Sequence, residues 1–85
     1  MVDAGNGNDF VDGSEYDDLI NGGNGRDDLF GFDGNDTING GEGDDTIGGA
    51  DGADTIDAGG GNDTAFGGEG NDQVRGGAGN DRLFG

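Results

Sequence analysis

One period organises this chain. From Ala4 onward it divides, without insertion or deletion, into nine consecutive blocks of nine residues: AGNGNDFVD, GSEYDDLIN, GGNGRDDLF, GFDGNDTIN, GGEGDDTIG, GADGADTID, AGGGNDTAF, GGEGNDQVR and GGAGNDRLF. Self-similarity at a short fixed period restricts the fold to architectures in which each unit leans on its neighbours. The sixth position is Asp in every block: Asp9, Asp18, Asp27, Asp36, Asp45, Asp54, Asp63, Asp72 and Asp81. The fourth is Gly in eight blocks of nine, broken only by Tyr16, and the eighth is always apolar: Val11, Ile20, Leu29, Ile38, Ile47, Ile56, Ala65, Val74 and Leu83. Asp is 17 of the 85 residues, so nine in one phase would arise by chance roughly once in 200,000.

Glycines at positions one, two and four give backbone that can take φ > 0, so the first six residues of a block read as a turn and the last three as a short strand. Side chains alternate across a strand, so position eight faces one way and positions seven and nine the other. One strand cannot bury a single inward side chain. Two blocks can, as an 18-residue coil in which Val11 meets Ile20, Leu29 meets Ile38, Ile47 meets Ile56 and Ala65 meets Val74. Coils stacked about 4.8 Å apart then give a core roughly 20 Å long, weakest at Ala65. The expected fold is all-β, a single parallel β-roll (a β-helix solenoid) over residues 1–85, with repeats at 4–84 and partial repeats at 1–3 and 85. Met1, Val2 and Asp3 fit positions seven to nine of a preceding block and Gly85 opens a following one. The chain therefore reads as an excerpt of a longer array, or as a subunit whose open ends stack on other chains.

Composition argues against this fold forming unaided. Hydrophobic residues are 27 % of the chain, and 20 acidic residues against three arginines give a net charge of −17. Such a chain repels itself, and 24 glycines add to the backbone entropy lost on ordering. Low-complexity disorder is the competing reading. The fixed apolar eighth position opposes it when the charge is neutralised, whereas in plain buffer disorder is expected. The sign of the charge excludes nucleic acid and anionic membrane surfaces as partners, since only Arg26, Arg75 and Arg82 are basic. No apolar run reaches the roughly 20 residues of a spanning helix, and no basic-then-apolar leader opens the sequence, so no membrane insertion is expected.

The regular aspartates point to the neutralising partner. Ca²⁺ takes six to eight oxygen ligands from carboxylates, carbonyls and water. With neither His nor Cys in the chain, Zn²⁺ and copper fit poorly, and Mg²⁺ demands tighter geometry. One turn supplies half a shell, and turn i stacks on turn i+2. The half-shells then close in two rows: Asp9, Asp27, Asp45, Asp63 and Asp81 along a first edge, and Asp18, Asp36, Asp54 and Asp72 along a second. That allows up to about seven ions, which would bring the charge from −17 to about −3, and an interior Asp would serve two of them. Ser14, Glu15 and Tyr16 replace the turn glycines of the second block, and Phe32 and Ala50 occupy position two on the same edge. The first edge is expected to bind more tightly, with the Asp18–Asp36 site weakest.

The pattern GGxGxDxUx, where U is a large apolar residue, resembles the nonapeptide of the RTX (repeats-in-toxin) calcium-binding family, over residues 4–84. The resemblance implies a right-handed parallel β-roll. It also implies that backbone carbonyls of Gly22, Gly23, Gly25, Gly40, Gly41, Gly43, Gly67, Gly68, Gly70, Gly76, Gly77 and Gly79 complete the ligand shells. It further implies a secreted, extracellular or cell-surface protein exported by type I secretion, unfolded at low calcium and folded outside the cell, where affinities of about 10⁻⁴ to 10⁻³ M suffice.

Catalysis has little to work with: one Ser, one Tyr, no His and no Cys. No enzyme activity is expected. Two functions remain, a calcium-triggered folding module of a larger secreted protein, and a self-assembling subunit of a filament, surface layer or adhesin. Phe10 at position seven and Phe30, Phe66 and Phe84 at position nine share the outer face of the odd strands. That face is either a solvent-facing ladder or a contact surface for a neighbouring domain or another copy.

Overall fold

The computed structural model describes all residues from Met1 to Gly85. Each block ends in a strand where the apolar eighth residue is flanked by residues that are polar in most blocks, the position-seven exceptions being Phe10 and Leu19. Ten strands follow in order: β1 (Val2–Asp3), β2 (Phe10–Asp12), β3 (Leu19–Asn24), β4 (Asp28–Phe30), β5 (Thr37–Glu42), β6 (Thr46–Gly48), β7 (Thr55–Asp57), β8 (Thr64–Phe66), β9 (Gln73–Arg75) and β10 (Arg82–Phe84). They form two parallel five-stranded sheets, ordered β1-β3-β5-β7-β9 and β10-β8-β6-β4-β2. Every strand therefore pairs with the strand 18 residues away, in a register that keeps the repeat: Ile20 with Ile38 and Ile38 with Ile56 in one sheet, Val11 with Leu29 and Leu29 with Ile47 in the other. The result is a parallel β-roll of about five coils, with no helix. The Val2–Asp3 strand adds the half-coil that extends the nine full repeats.

The principal extents are 26 × 23 × 12 Å, the shortest being that of two facing sheets. Between the sheets lies one core, made of Val11, Ile20, Leu29, Ile38, Ile47, Ile56, Ala58 and Ala65, with Val2, Ala4 and Val74 packed against it. Flanking residues at positions seven and nine are more exposed in every interior strand. Each fully buried Leu or Ile contributes about 1.5–3 kcal/mol, a modest sum for a chain so charged. On β10, the outermost strand of its sheet, Leu83 is 45 % exposed.

Two features depart from the expected layout. Strands β3 and β5 run six residues, through the following glycines, so that Gly23 pairs with Gly41 and Asn24 with Glu42. Stacked turns on the first edge bond to one another and not only to the strands. Position one also points inward: Ala58, first in its block, is fully buried in the core, and a Cβ on Gly22 would meet Leu29 Cδ1 at 3.1 Å.

Candidate cation sites

The sixth-position aspartates are drawn inside although they carry charge. Asp27, Asp36, Asp45, Asp54 and Asp63 are all at most 2 % exposed. Their two oxygens are used differently. Oδ1 of each accepts the backbone N–H of the aspartate 18 residues earlier: Asp9 N–H to Asp27 at 2.9 Å, Asp27 to Asp45 at 2.9 Å, Asp45 to Asp63 at 2.8 Å and Asp63 to Asp81 at 3.0 Å. On the second edge Asp18, Asp36 and Asp54 donate to Asp36, Asp54 and Asp72 in the same way. Both predicted rows are therefore brought together with the predicted pairing.

Oδ2 is left without a partner, and buried, at Asp9, Asp27, Asp36, Asp45, Asp54, Asp63 and Asp72. Its surroundings can be read from the glycine that opens each block. A Cβ on Gly22 would lie 2.7 Å from Asp27 Oδ2 and 2.6 Å from the carbonyl oxygen of Gly40, the first residue of the block two further on. Gly49 repeats this with Asp54 Oδ2 and Gly67 O, and Gly40 with Asp45 Oδ2 and Ala58 O. Each carboxylate thus ties itself to the preceding turn through Oδ1 and holds Oδ2 toward a carbonyl of the following one. An anionic oxygen held out of water without a donor costs several kcal/mol unless a proton or a cation meets it. All the donor atoms gathered here are oxygens, the set a hard cation such as Ca²⁺ takes. The residues present fit such an ion.

The titration of these groups reflects the same confinement. Burial pushes the Asp45 carboxyl up to about 6, partly offset by the Asp27 N–H bond and reinforced by the charges of Asp63 and Asp27. Asp36, Asp54 and Asp63 are raised by the same leading cause, burial.

The edges are unequal, as their glycines suggested. On the first edge backbone bonds run from turn to turn: Gly7 N–H to Asn24 O, Gly25 to Glu42, Gly43 to Gly60, Gly60 to Gly41 and Ala78 to Gly59. On the second edge, pairing at positions two to four is confined to one isolated parallel bridge, between Asp51 and Glu69. There Phe32 (φ 70°) and Ala50 (φ 72°) are held in the left-handed region that glycine takes freely, at about 1–2 kcal/mol each. At Asp18 the site closes on itself. The Ser14 N–H and hydroxyl bond Asp18 Oδ2 at 2.7 and 3.1 Å, so the oxygen left bare elsewhere is already paired.

The glycine carbonyls divide by position. Those of Gly40 and Gly67, at position one, face the Oδ2 cradles. Those of Gly23, Gly25, Gly41 and Gly43 press against the α-carbons of Gly41, Gly43, Gly59 and Gly61 in the next turn, where any Cβ would collide. Gly22 and Gly76 lie beside Asp27 and Asp81, while Gly68, Gly70, Gly77 and Gly79 stack on the carbonyls of Ala50, Gly52, Gly59 and Gly61.

A second ladder was not anticipated. At position five Asn8, Asp17, Asn35, Asp44 and Asn62 accept the N–H of the residue 18 further on. Its direction is opposite to that of the sixth-position ladder, so adjacent side chains clamp each turn from above and below. The signal was available, since position five is Asn or Asp in seven blocks of nine.

The model of the RTX calcium-binding nonapeptide repeat matches this chain in four copies, over residues 3–31, 30–65 and 57–85. Comparison with curated proteins and with solved structures gave no match.

Proposed function

Because the chain belongs to the RTX calcium-binding nonapeptide repeat family, we propose that this calcium-binding repeat module folds when its ions bind and forms part of a secreted or cell-surface protein. The observation that carries this reading is the set of seven buried, partnerless Oδ2 atoms. Without a cation each opposes folding, and the net charge of −17 adds to the opposition. Bound calcium supplies positive charge to the carboxylates and carbonyls between turns. The chain's own residues do the rest: Asp Oδ1 fixes the spacing of successive turns, Oδ2 and the position-one carbonyl face each other across it, and glycine keeps the approach close.

Six gaps between stacked turns, four on the first edge opened by Asp9, Asp27, Asp45 and Asp63 and two on the second opened by Asp36 and Asp54, start from a bare, buried Oδ2, which at Asp27, Asp45 and Asp54 faces a carbonyl of the following turn. The Asp18–Asp36 gap is the weak one, because Ser14 occupies its oxygen. Folding of this kind suits export, since the chain stays extended where calcium is scarce and orders where it is abundant. Calorimetric titration with CaCl₂ tests the reading. About six ions bound per chain, with strand signal rising alongside, is the expected result, and absence of binding at millimolar calcium would refute it.

A further inference from the structure

The outer face of the β2-β4-β6-β8-β10 sheet presents Phe10 and Phe30 with ring centroids 5.8 Å apart, and Phe66 and Phe84 stacked at 4.9 Å. Phe10 is 67 % exposed and Phe84 50 %. The two ring pairs flank Gly48 on the central strand β6, where the missing side chain makes room for the Phe30 ring to lean over the glycine. We propose that this face is the interface of a homodimer of the calcium-loaded roll, two copies packing sheet to sheet about a two-fold axis that runs parallel to the strands through β6.

Charge selects both the occupant and the orientation. The face carries Asp12 and Asp28 at its β2-β4 end and Arg82 at its β10 end, and Arg82 has no ion pair within its own chain. A two-fold axis parallel to the strands lays β10 of one copy over β2 of the other. Each Arg82 then meets the ring of Phe10 between Asp12 and Asp28 of the second copy, and Phe30 meets Phe66. Turning the second copy about the stacking direction instead would lay β2 over β2 and β10 over β10, crowding the acidic ends together and setting Arg82 over Phe84, away from any carboxylate. The face holds one net negative charge, so nearly all the chain's −17 lies elsewhere, mostly along the calcium edges at the interface's rim. The contact is small: five strands about 4.8 Å apart and three residues long present roughly 24 × 10 Å of sheet per copy, the scale of a transient interface, so the dimer forms at high protein concentration.

The proposal rests on the roll being folded, and hence on the calcium-dependent folding proposed above. Sedimentation equilibrium in millimolar calcium, with circular dichroism on the same samples, separates the two. The expected species has about twice the 8.4 kDa of one chain at high protein concentration. The double variant Phe30→Ser/Phe66→Ser should remain monomeric with unchanged strand signal. The variants Arg82→Glu and Asp12→Lys/Asp28→Lys should each be monomeric alone and form a dimer when mixed, because only the mixed pair is complementary at both contacts. A monomer with full strand signal at every concentration overturns the dimer alone, as does a dimer that survives the Phe30→Ser/Phe66→Ser change. Absence of strand signal in calcium overturns both proposals.

Discussion

Acid should do part of what calcium does. In chelator at neutral pH, folding requires Asp45 to be ionised with a bare, buried Oδ2. Its carboxyl is pushed from 3.8 up to about 6 by burial, so the folded chain holds this proton more tightly than the unfolded one. The resulting stability is fully present below about 3.8 and is lost as pH rises through about 6. A shift of about two units corresponds to about 3 kcal/mol. Asp36, Asp54 and Asp63 shift in the same direction and add to it.

We predict that strand signal, followed by circular dichroism in chelator, grows as pH falls from 7 to about 4. High salt is the control. Roughly 1 M KCl screens repulsion between exposed charges but leaves the burial cost in place, and so should reproduce only part of the gain. Asp45→Asn keeps an acceptor for the Asp27 N–H and removes the titrating oxygen, which should flatten the response near pH 6. Loss of structure on acidification, or a full gain from salt alone, would refute the idea that confined carboxylates oppose folding.

Other outcomes follow from single contacts. Gly43→Ala places a Cβ against the carbonyl oxygen of Gly25, whereas a Cβ on Gly7, also at positive φ, meets nothing within 4 Å. In thermal melts with calcium, Gly7→Ala should cost about 1 kcal/mol and Gly43→Ala about 3 kcal/mol. Equal costs would remove the close stacking of turns from the account. Ile47→Ala, at a fully buried position between Leu29 and Ala65, should lose about 2–5 kcal/mol by denaturant titration in calcium. Asp54→Asn should raise the calcium midpoint for folding by roughly tenfold, about 1.4 kcal/mol. Asp18→Asn should scarcely move it, because Ser14 already pairs that oxygen.

Much of the roll was legible because its two decisive positions are occupied without exception. An apolar residue at every eighth position sets the strand, its inward face and the 18-residue coil, and Asp at every sixth sets the two rows. Phe32, Ala50 and Ser14 marked the weaker edge because each breaks a glycine pattern that has a steric reason. The sequence did not show how each carboxylate divides its oxygens. That depends on whether the N–H of Asp9 or Asp27 faces up or down the stack, which period alone leaves open. The clamp at position five has no distinct signature in the sequence, because Asn and Asp also suit any turn. Ala58 and Ala4 gave no warning that position one faces the core, since seven of the nine blocks place a glycine there with no side chain to reveal a direction.

The central claim is that calcium converts an expanded, self-repelling chain into this roll. Small-angle X-ray scattering at pH 7 measures that conversion directly. In millimolar calcium the Phe30→Ser/Phe66→Ser variant, kept monomeric, should give a radius of gyration near the 10.9 Å of the folded Cα trace. In chelator the same chain should expand toward about 29 Å, the value for an unfolded chain of this length. A compact particle of unchanged radius in chelator would contradict the account.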